Sequence, residues 1–301
     1  MEQKQHLTTT IIGLGLIGGT MAWALRDQGL TSYIIGVDNN EAHSKRALEL
    51  GIIDELLPLD RAVKAADLVI LAVPVTTAAT LLPQILDMTD RQVITDVGST
   101  KRGLVLAAAG HPKRGRYVPA HPMWGTEFSG PEAARRNVLE GVVNIICDQK
   151  DSDRDALALI EHLLRSLGMR LVYMDSLSHD THLAYVSHIA HISSFALANT
   201  VLEKEKEEET IFNLASSGFE STVRLAKSNS ETWVPVFKQN KENVLDVLNE
   251  YISQLRKFKS SLEKENWTYL NELIESSNKI KKVLDKKQQD KNQPAGLINK
   301  A

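Results

Sequence analysis

Only one cysteine, Cys147, occurs in the 301 residues of the chain. An intrachain disulfide is therefore excluded, and a reducing compartment fits. There is no basic excess: 35 Lys and Arg stand against 38 Asp and Glu, a net charge of −3. That balance argues against nucleic acid as a partner. No apolar run reaches the length of a membrane span. The first residues, MEQKQHLTTT, lack the basic-then-apolar layout of a secretory leader. Together these absences predict a cytoplasmic protein with neither a membrane nor a nucleic acid as partner. Internal repeats are missing as well. Apolar residues are plentiful, at 43%, enough for the core of one large or two medium domains.

The stretch Ile11–Met21, IIGLGLIGGTM, organises the chain. It carries GxGxxG at Gly13, Gly15 and Gly18, between a Thr- and Ile-rich strand at Leu7–Ile12 and a following helix. Strand, glycine turn and helix together give the pattern its meaning. Gly13 allows the tight turn, Gly15 lets the backbone approach a pyrophosphate, and Gly18 lets helix and strand pack closely. The free N–H groups and positive dipole end of the helix then face the phosphates. A second strand, Tyr33–Val37, ends in Asp38, 25 residues beyond Gly13. An acid at about that distance accepts hydrogen bonds from ribose hydroxyls. The competing reading is a glycine-rich turn in an unrelated α/β domain. The expected cofactor is NAD, held by Gly13, Leu14, Gly15, Leu16, Ile17, Gly18 and Asp38, with Val73 and Pro74.

The first half of the chain alternates strands and helices. Asp67–Val73, Gln92–Val97, Tyr117–Ala120, Val142–Cys147 and Arg170–Met174 read as further strands, with a helix at Arg154–Leu167. The continuous apolar run of Asp67–Val73 suits a parallel strand buried on both faces. The alternation predicts a Rossmann-type doubly wound α/β domain over 1–174. Ligands in such sheets bind beyond the carboxyl ends of the strands, so the loops after Ile12, Val37, Val73, Val97 and Ala120 should share one crevice. After Asp175 no strand pattern remains. One long helix is read over Leu177–Leu202, then an acidic solvated run at Glu203–Glu209 and a break at Ser216-Ser217-Gly218. Two amphipathic helices follow at Trp233–Lys259 and Leu262–Leu284. This predicts an all-helical domain at 175–285 and a polar, disordered tail at 286–301. Two such long helices are poorly covered by a domain of ~110 residues, so their apolar stripes point to a homodimer through the C-terminal helices.

Four places can carry chemistry. Ser99, in DVGSTK after a strand, can orient a reacting group or simply cap the next helix. His121, in HPMWGT after another strand, can take a proton near neutral pH. Ser187 and His191 share a helix face, with His188 adjacent. His179 and His182 lie nearby, but no carboxylate or cysteine completes an obvious ligand set, so no metal is expected. Arg224, just past a glycine break, can clamp a carboxylate with two hydrogen bonds.

GLGLIGG, DVGSTK, HPMWGTEFSG, the SHIAH helix and ASSGFESTVR occur in one order over residues 11–224. In this the chain resembles the prephenate and arogenate dehydrogenases of tyrosine biosynthesis. The resemblance implies a nucleotide-binding domain followed by a helical dimerisation domain. It implies that His121 is the catalytic histidine and that Ser99 helps orient substrate hydroxyl and cofactor. It places Ser187, His188 and His191 around the substrate and makes Arg224 the ligand of its ring carboxylate. The activity implied is NAD-dependent oxidative decarboxylation of prephenate.

Where many members carry a basic and then an acidic residue after the Phe of the glycine break, this chain has Glu220 and Ser221. Where many have Pro in SHxxH, it has Ala190, which suits a regular helix. Neither a regulatory ACT segment after the helical half nor a chorismate mutase segment before the first strand is expected. Prephenate and arogenate differ in a side chain that is a keto group in one and an ammonium in the other. The face at Ser187, His188 and His191 offers donors and no acid, which favours prephenate. Glu220 and Glu127 are the acids that could reverse this, and Glu220 is expected to pair with Arg224 at i,i+4. A hydroxyacid or 6-phosphogluconate type of dehydrogenase, or a nucleotide-sensing dimer without activity, are the rival readings. Asp38 should repel a 2′-phosphate, and Asn39 and Asn40 offer it no positive charge. The specificity constant with NAD should therefore exceed that with NADP; the opposite order would overturn the assignment of Asp38.

Overall fold

The β-branched run Leu7–Ile12 forms strand β1, whose last four residues are buried. It leads through the glycine turn into helix α1, Leu16–Asp27. The computed structural model describes residues 7–208 and 210–291, with side chains to residue 285. After α1 come β2 (Thr31–Val37), α2 (Glu41–Glu49), the two-residue β3 (Glu55–Leu56), α3 (Leu59–Ala65) and β4 (Leu68–Leu71). Next are α4 (Val75–Met88), β5 (Val93–Asp96), α5 (Arg102–Ala108) and β6 (Tyr117–Val118). The six strands pair in the order β3-β2-β1-β4-β5-β6, all parallel. This is the doubly wound dinucleotide order.

Alternation along each strand divides the core into two. Ile11, Leu68 and Ile70 face one side, with Met21 and Leu25 of α1. Ile12, Val69 and Leu71 face the other, with Leu82 and Ile85 of α4. All four residues of β4 are buried, as expected for a strand covered on both faces.

The strand expected at Tyr117–Ala120 is split at Pro119. β6 closes the first sheet, and β7 (Ala120–Pro122) opens a second. Proline has no N–H to continue the ladder. Strand β7 pairs antiparallel with β8 (Val143–Cys147), and β8 pairs parallel with β9 (Arg170–Met174) across α6 (Arg154–Ser166). His121 sits in the middle of β7, opposite Ile145. The turn that ends the first sheet is thus what delivers His121 to the cleft.

The helix expected at Leu177–Leu202 is α7 (Ser176–Leu183) and α8 (Ile189–Glu205), joined by a π turn at Ala184–His188. The regular helix expected around Ala190 is thus interrupted just before it. α9 (Ser217–Val223) and α10 (Ser230–Gln239) follow the break at Ser216-Ser217-Gly218. The stretch Trp233–Lys259 is two helices rather than one, because α10 ends at Asn240 before α11 (Lys241–Glu263) begins. The stretch Leu262–Leu284 is also divided. Asn266 caps α12 (Trp267–Ser277), and α13 is Ile280–Lys291. Residues 286–291 of the expected disordered tail are therefore helical, and 292–301 lie outside the described residues.

The chain divides into two compact units, Met1–Val244 and Leu245–Ala301. That division falls well past the boundary of 174/175 read from the sequence. The cause is local: α7 hydrogen-bonds to the start of α5, and Gln239 of α10 donates to the Val75 carbonyl of α4. Within the second unit, Leu255, Leu262, Trp267 and Ile274 are exposed. Among the described residues no helix is long and apolar enough to cross a membrane.

Candidate active site

A cleft of about 600 Å³ opens at the carboxyl ends of the central strands. The loops after β1, β2, β4 and β5 and the loop that follows β7 all contribute to it, through Gly13, Asp38, Val73, Ser99 and Trp124 among others. The crevice expected from the topology is therefore formed. Helices α8 and α10 and the segments beside them close it with Ser187, His191, Arg224 and Trp233.

At one end the glycine turn fits a dinucleotide. Gly13 has φ +98°, and a Cβ there would lie 2.5 Å from the Ala72 carbonyl oxygen. Gly18 packs against the Gly13 carbonyl, leaving no room for a side chain. In front of Gly15 a Cβ would meet nothing within 4 Å. That open space, and an α1 N-terminus with no side-chain cap, suit a phosphate group. Leu16 and Ile17 line the cleft, whereas the Leu14 side chain is buried in the core. The Leu14 backbone instead donates to Asp38 Oδ2 at 2.8 Å, and Asn40 N donates to Oδ1 at 2.8 Å. Asp38 is thereby fixed at the tip of β2, facing the cleft.

Beneath the cleft floor lies a buried polar cluster. Lys101 Nζ pairs with Asp96 Oδ2, both side chains fully buried. Asp96 also accepts from the Tyr117 hydroxyl at 2.7 Å and from Gly98 N at 2.8 Å. Burial beside that carboxylate pushes the Tyr117 hydroxyl well above its ordinary value. Ser99 projects from this supported loop into the cleft. His121 is almost wholly buried yet still lines the cleft wall. Its Nδ1 lies 2.9 Å from His179 Nε2, and His179 Nδ1 lies 2.7 Å from Asp180 Oδ1. Asp180 accepts from the backbone N–H groups of Lys101 at 2.7 Å and Arg102 at 3.0 Å. Burial pushes His121 well below its ordinary value, with nearby His179, Lys101 and His188 adding to the effect.

At the far end His191 stacks on Trp233, ring centroids 3.4 Å apart, and its Nδ1 contacts the Ser187 carbonyl at 3.0 Å. His188, expected around the substrate, is fully buried behind this wall. It contacts Asn240 Nδ2 at 3.1 Å and packs edge-on against Trp233. Arg224 is half exposed, with Glu127 Oε2 3.7 Å from Nη1. The expected Glu220–Arg224 pair is absent among the described residues. Helix α9 ends at Val223, and the chain tightens into a 3₁₀ turn over Arg224–Lys227, so α-helical i,i+4 spacing is not kept. Glu127 is the acid beside Arg224.

Residues 21–173 match the nucleotide-binding domain of prephenate dehydrogenase, and residues 175–276 match its dimerization domain. The chain belongs to the prephenate dehydrogenase family. Prephenate dehydrogenase of Bacillus subtilis is 32% identical over 268 residues, spanning 86% of this chain and 71% of that protein. The solved structure of prephenate dehydrogenase from A. aeolicus, in complex with hydroxyphenyl propionate and NAD+, superposes with a TM-score of 0.82. It is 30% identical and covers 94% of this chain and 99% of its own. Synechocystis arogenate dehydrogenase superposes with a TM-score of 0.71 at 25% identity, covering 92% of this chain and 99% of its own.

Trp233, Asp180 and Asn240 escaped the sequence reading, and His179 entered it only as a metal ligand set aside. Each meets its partner across a long stretch of chain, and none stands in a motif that marks it. The buried imidazoles carry a stability consequence. His121, His179, His188 and His191 are all pushed below their ordinary value, mainly by burial, and His188 to about 4. The folded state keeps them neutral, while the unfolded chain protonates them below about 6.5. In that window the unfolded state binds more protons, so stability rises with pH. For His188 alone the shift from 6.5 to about 4 is worth ~3 kcal/mol. Urea unfolding should therefore show stability whole above about pH 7 and falling as pH drops from 6.5 toward 4, with a shallower fall in His188→Asn. A flat wild-type profile would contradict it.

Proposed function

We propose that this protein is an NAD-dependent prephenate dehydrogenase in which His121 is the general base and Arg224 the substrate anchor. The observation that carries the proposal is the convergence in one cleft of the glycine turn, Ser99, His121 and Arg224. NAD would rest on the backbone at Gly13–Gly18, with its ribose on Asp38, and the nicotinamide supplies the hydride acceptor.

Prephenate is a cyclohexadienol with a C4 hydroxyl and two carboxylates. As C4 is oxidised, its hydroxyl must lose a proton. His121, held neutral by burial, accepts it. Ser99 holds the hydroxyl in line from the loop after β5. Arg224 grips the ring carboxylate with two hydrogen bonds and so fixes the face that is presented. Loss of that carboxylate as carbon dioxide makes the ring aromatic and the reaction effectively irreversible. Ser187 and His191 line the remaining wall.

Pairing with a second copy through the C-terminal helices completes the reading. Its support is the match to the family's dimerization domain. Apolar side chains stand exposed on α8, as at Leu202, and within the second unit, as at Leu262 and Trp267.

The donors at Ser187, His191 and Arg224 favour a keto side chain, hence prephenate. Arogenate is the second reading, favoured by Glu127, a carboxylate in the same cleft that could meet an ammonium once Arg224 turns to the substrate. NADH formation with each substrate tests the proposal. Prephenate should give the higher specificity constant; preference for arogenate would assign Glu127 to the side chain, and turnover of neither would refute the activity. His121→Asn should retain nucleotide binding and lose ~10²–10⁴-fold in turnover. Unchanged turnover would remove His121 from the role of base. Arg224→Ala should raise KM for substrate by roughly 10–150-fold, the value of ~1.5–3 kcal/mol for a hydrogen bond to a charged group. A KM within twofold of wild type would exclude Arg224 as the anchor.

A further inference from the structure

Behind His121 stands a row of groups that the proposed chemistry does not touch. His179 has no exposed surface, and Asp180 is 2% exposed. Both lie on α7, and His179 is 58 residues from His121 in sequence. His121 Nδ1 meets His179 Nε2 at 2.9 Å, and His179 Nδ1 meets Asp180 Oδ1 at 2.7 Å. Among the described residues His121 Nε2 has no protein partner, and it is the nitrogen left for a ligand in the cleft.

From this geometry we infer that His179 and Asp180 are positioning residues, which fix His121 in the tautomer whose Nε2 lone pair is free to accept the substrate proton. The inference rests on the proposed role of His121 as base.

The donors and acceptors along the row leave one place for each proton. A carboxylate only accepts hydrogen bonds. Asp180 is held as a carboxylate acceptor by two backbone donors, Lys101 N and Arg102 N. The proton between it and His179 therefore belongs to His179 Nδ1. A neutral imidazole with its proton on one nitrogen has a lone pair on the other. His179 Nε2 is then an acceptor, and the proton in the contact between the histidines belongs to His121 Nδ1. His121 Nε2 is left bare. The step requires His179 to be neutral, and burial does push its titration downward despite the adjacent Asp180 carboxylate. The charged and titratable groups around the pair are Lys101 and Asp96 under the floor, Asp180 on α7, and His188 at the π turn.

The chain also holds the ring's angle. The two imidazoles meet edge to face, with an interplanar angle of 63° and centroids 5.1 Å apart. Fixing both tautomer and direction through an acceptor behind the ring is worth about 10⁴-fold in serine proteases, where an aspartate does it directly. Here a second imidazole spans the gap between carboxylate and base.

The decisive measurement reads the proton itself. In protein labelled with ¹⁵N-histidine, two-bond ¹H–¹⁵N spectra distinguish the tautomers, and His121→Asn identifies the His121 signal among the nine histidines. Wild type at pH 7.5 should carry its proton on Nδ1; a proton on Nε2 overturns the inference, whatever any variant does. In His179→Leu the signal should lose its single tautomer and kcat should fall by ~10²–10⁴-fold, while NADH affinity stays within about twofold. His179→Gln puts an amide oxygen near the place of Nε2 and should recover kcat to within about tenfold of wild type. If His179→Leu keeps wild-type kcat, or if Gln is no better than Leu, His179 only fills space and the inference fails. Should His179→Leu not fold, the wild-type spectrum and the Gln variant still decide. Full turnover in His121→Asn would instead defeat the reading of His121 as base, and the tautomer measured in wild type separates that failure from this one.

Discussion

The carboxylate of Asp180 is the knot on which the site depends. It takes the backbone N–H groups at the start of α5 and the imidazole of His179 at once. The first two contacts bind α7 to the loop that carries Ser99, and the third reaches His121 on β7. Removing a charged acceptor from buried donors costs several kcal/mol, so this carboxylate holds its neighbours strongly. Lys101 links it to a second carboxylate, since its backbone N–H goes to Asp180 and its ammonium to Asp96. Strand β5, strand β7 and helix α7 are thereby locked around one lysine.

That lock explains why a fold built for nucleotide binding can present a base at a defined place. The six-stranded sheet alone would end its chain at β6. Pro119 breaks the ladder, the chain enters the second sheet, and His121 emerges opposite Ile145. From there its ring is held by α7 rather than by its own strand. The cleft is thus walled by the nucleotide-binding sheet on one side and by the helices after β9 on the other. The substrate wall includes a stacked His191–Trp233 pair, stiffer than either ring alone.

What was legible in the sequence was local. The glycine turn and Asp38 lie at fixed spacings along adjacent strands, so a short stretch of text contains the whole device. Ser99 and His121 each stand just beyond a stretch read as a strand, Gln92–Val97 and Tyr117–Ala120. β3 was not legible, because two residues carry no period. The second sheet escaped because a strand of three residues, Ala120–Pro122, looks like the end of the one before it. Glu127 was weighed as an acid but not as the partner of Arg224, for the two meet only after the chain has added strands β8 and β9 and the four helices α6 to α9 between them. His179 and Asp180 were read on one helix with the other histidines, where nothing in the spacing distinguishes a residue facing inward to a base from one facing solvent.

The π turn at Ala184–His188 sets the phase between two halves of one helix. In a regular helix each residue advances by ~100°, so a turn wound one residue wider rotates everything beyond it by that amount. The half before the turn is keyed to β7 through His179 and Asp180, and the half after it to the cleft through His191. Shortening the segment by one residue would leave both halves helical, with the side chains of α7 and α8 unchanged in identity. It would nonetheless turn His191 about a quarter of a revolution away from Trp233. The length of this segment, more than the identity of its residues, is what lets one helix serve both the base and the substrate wall.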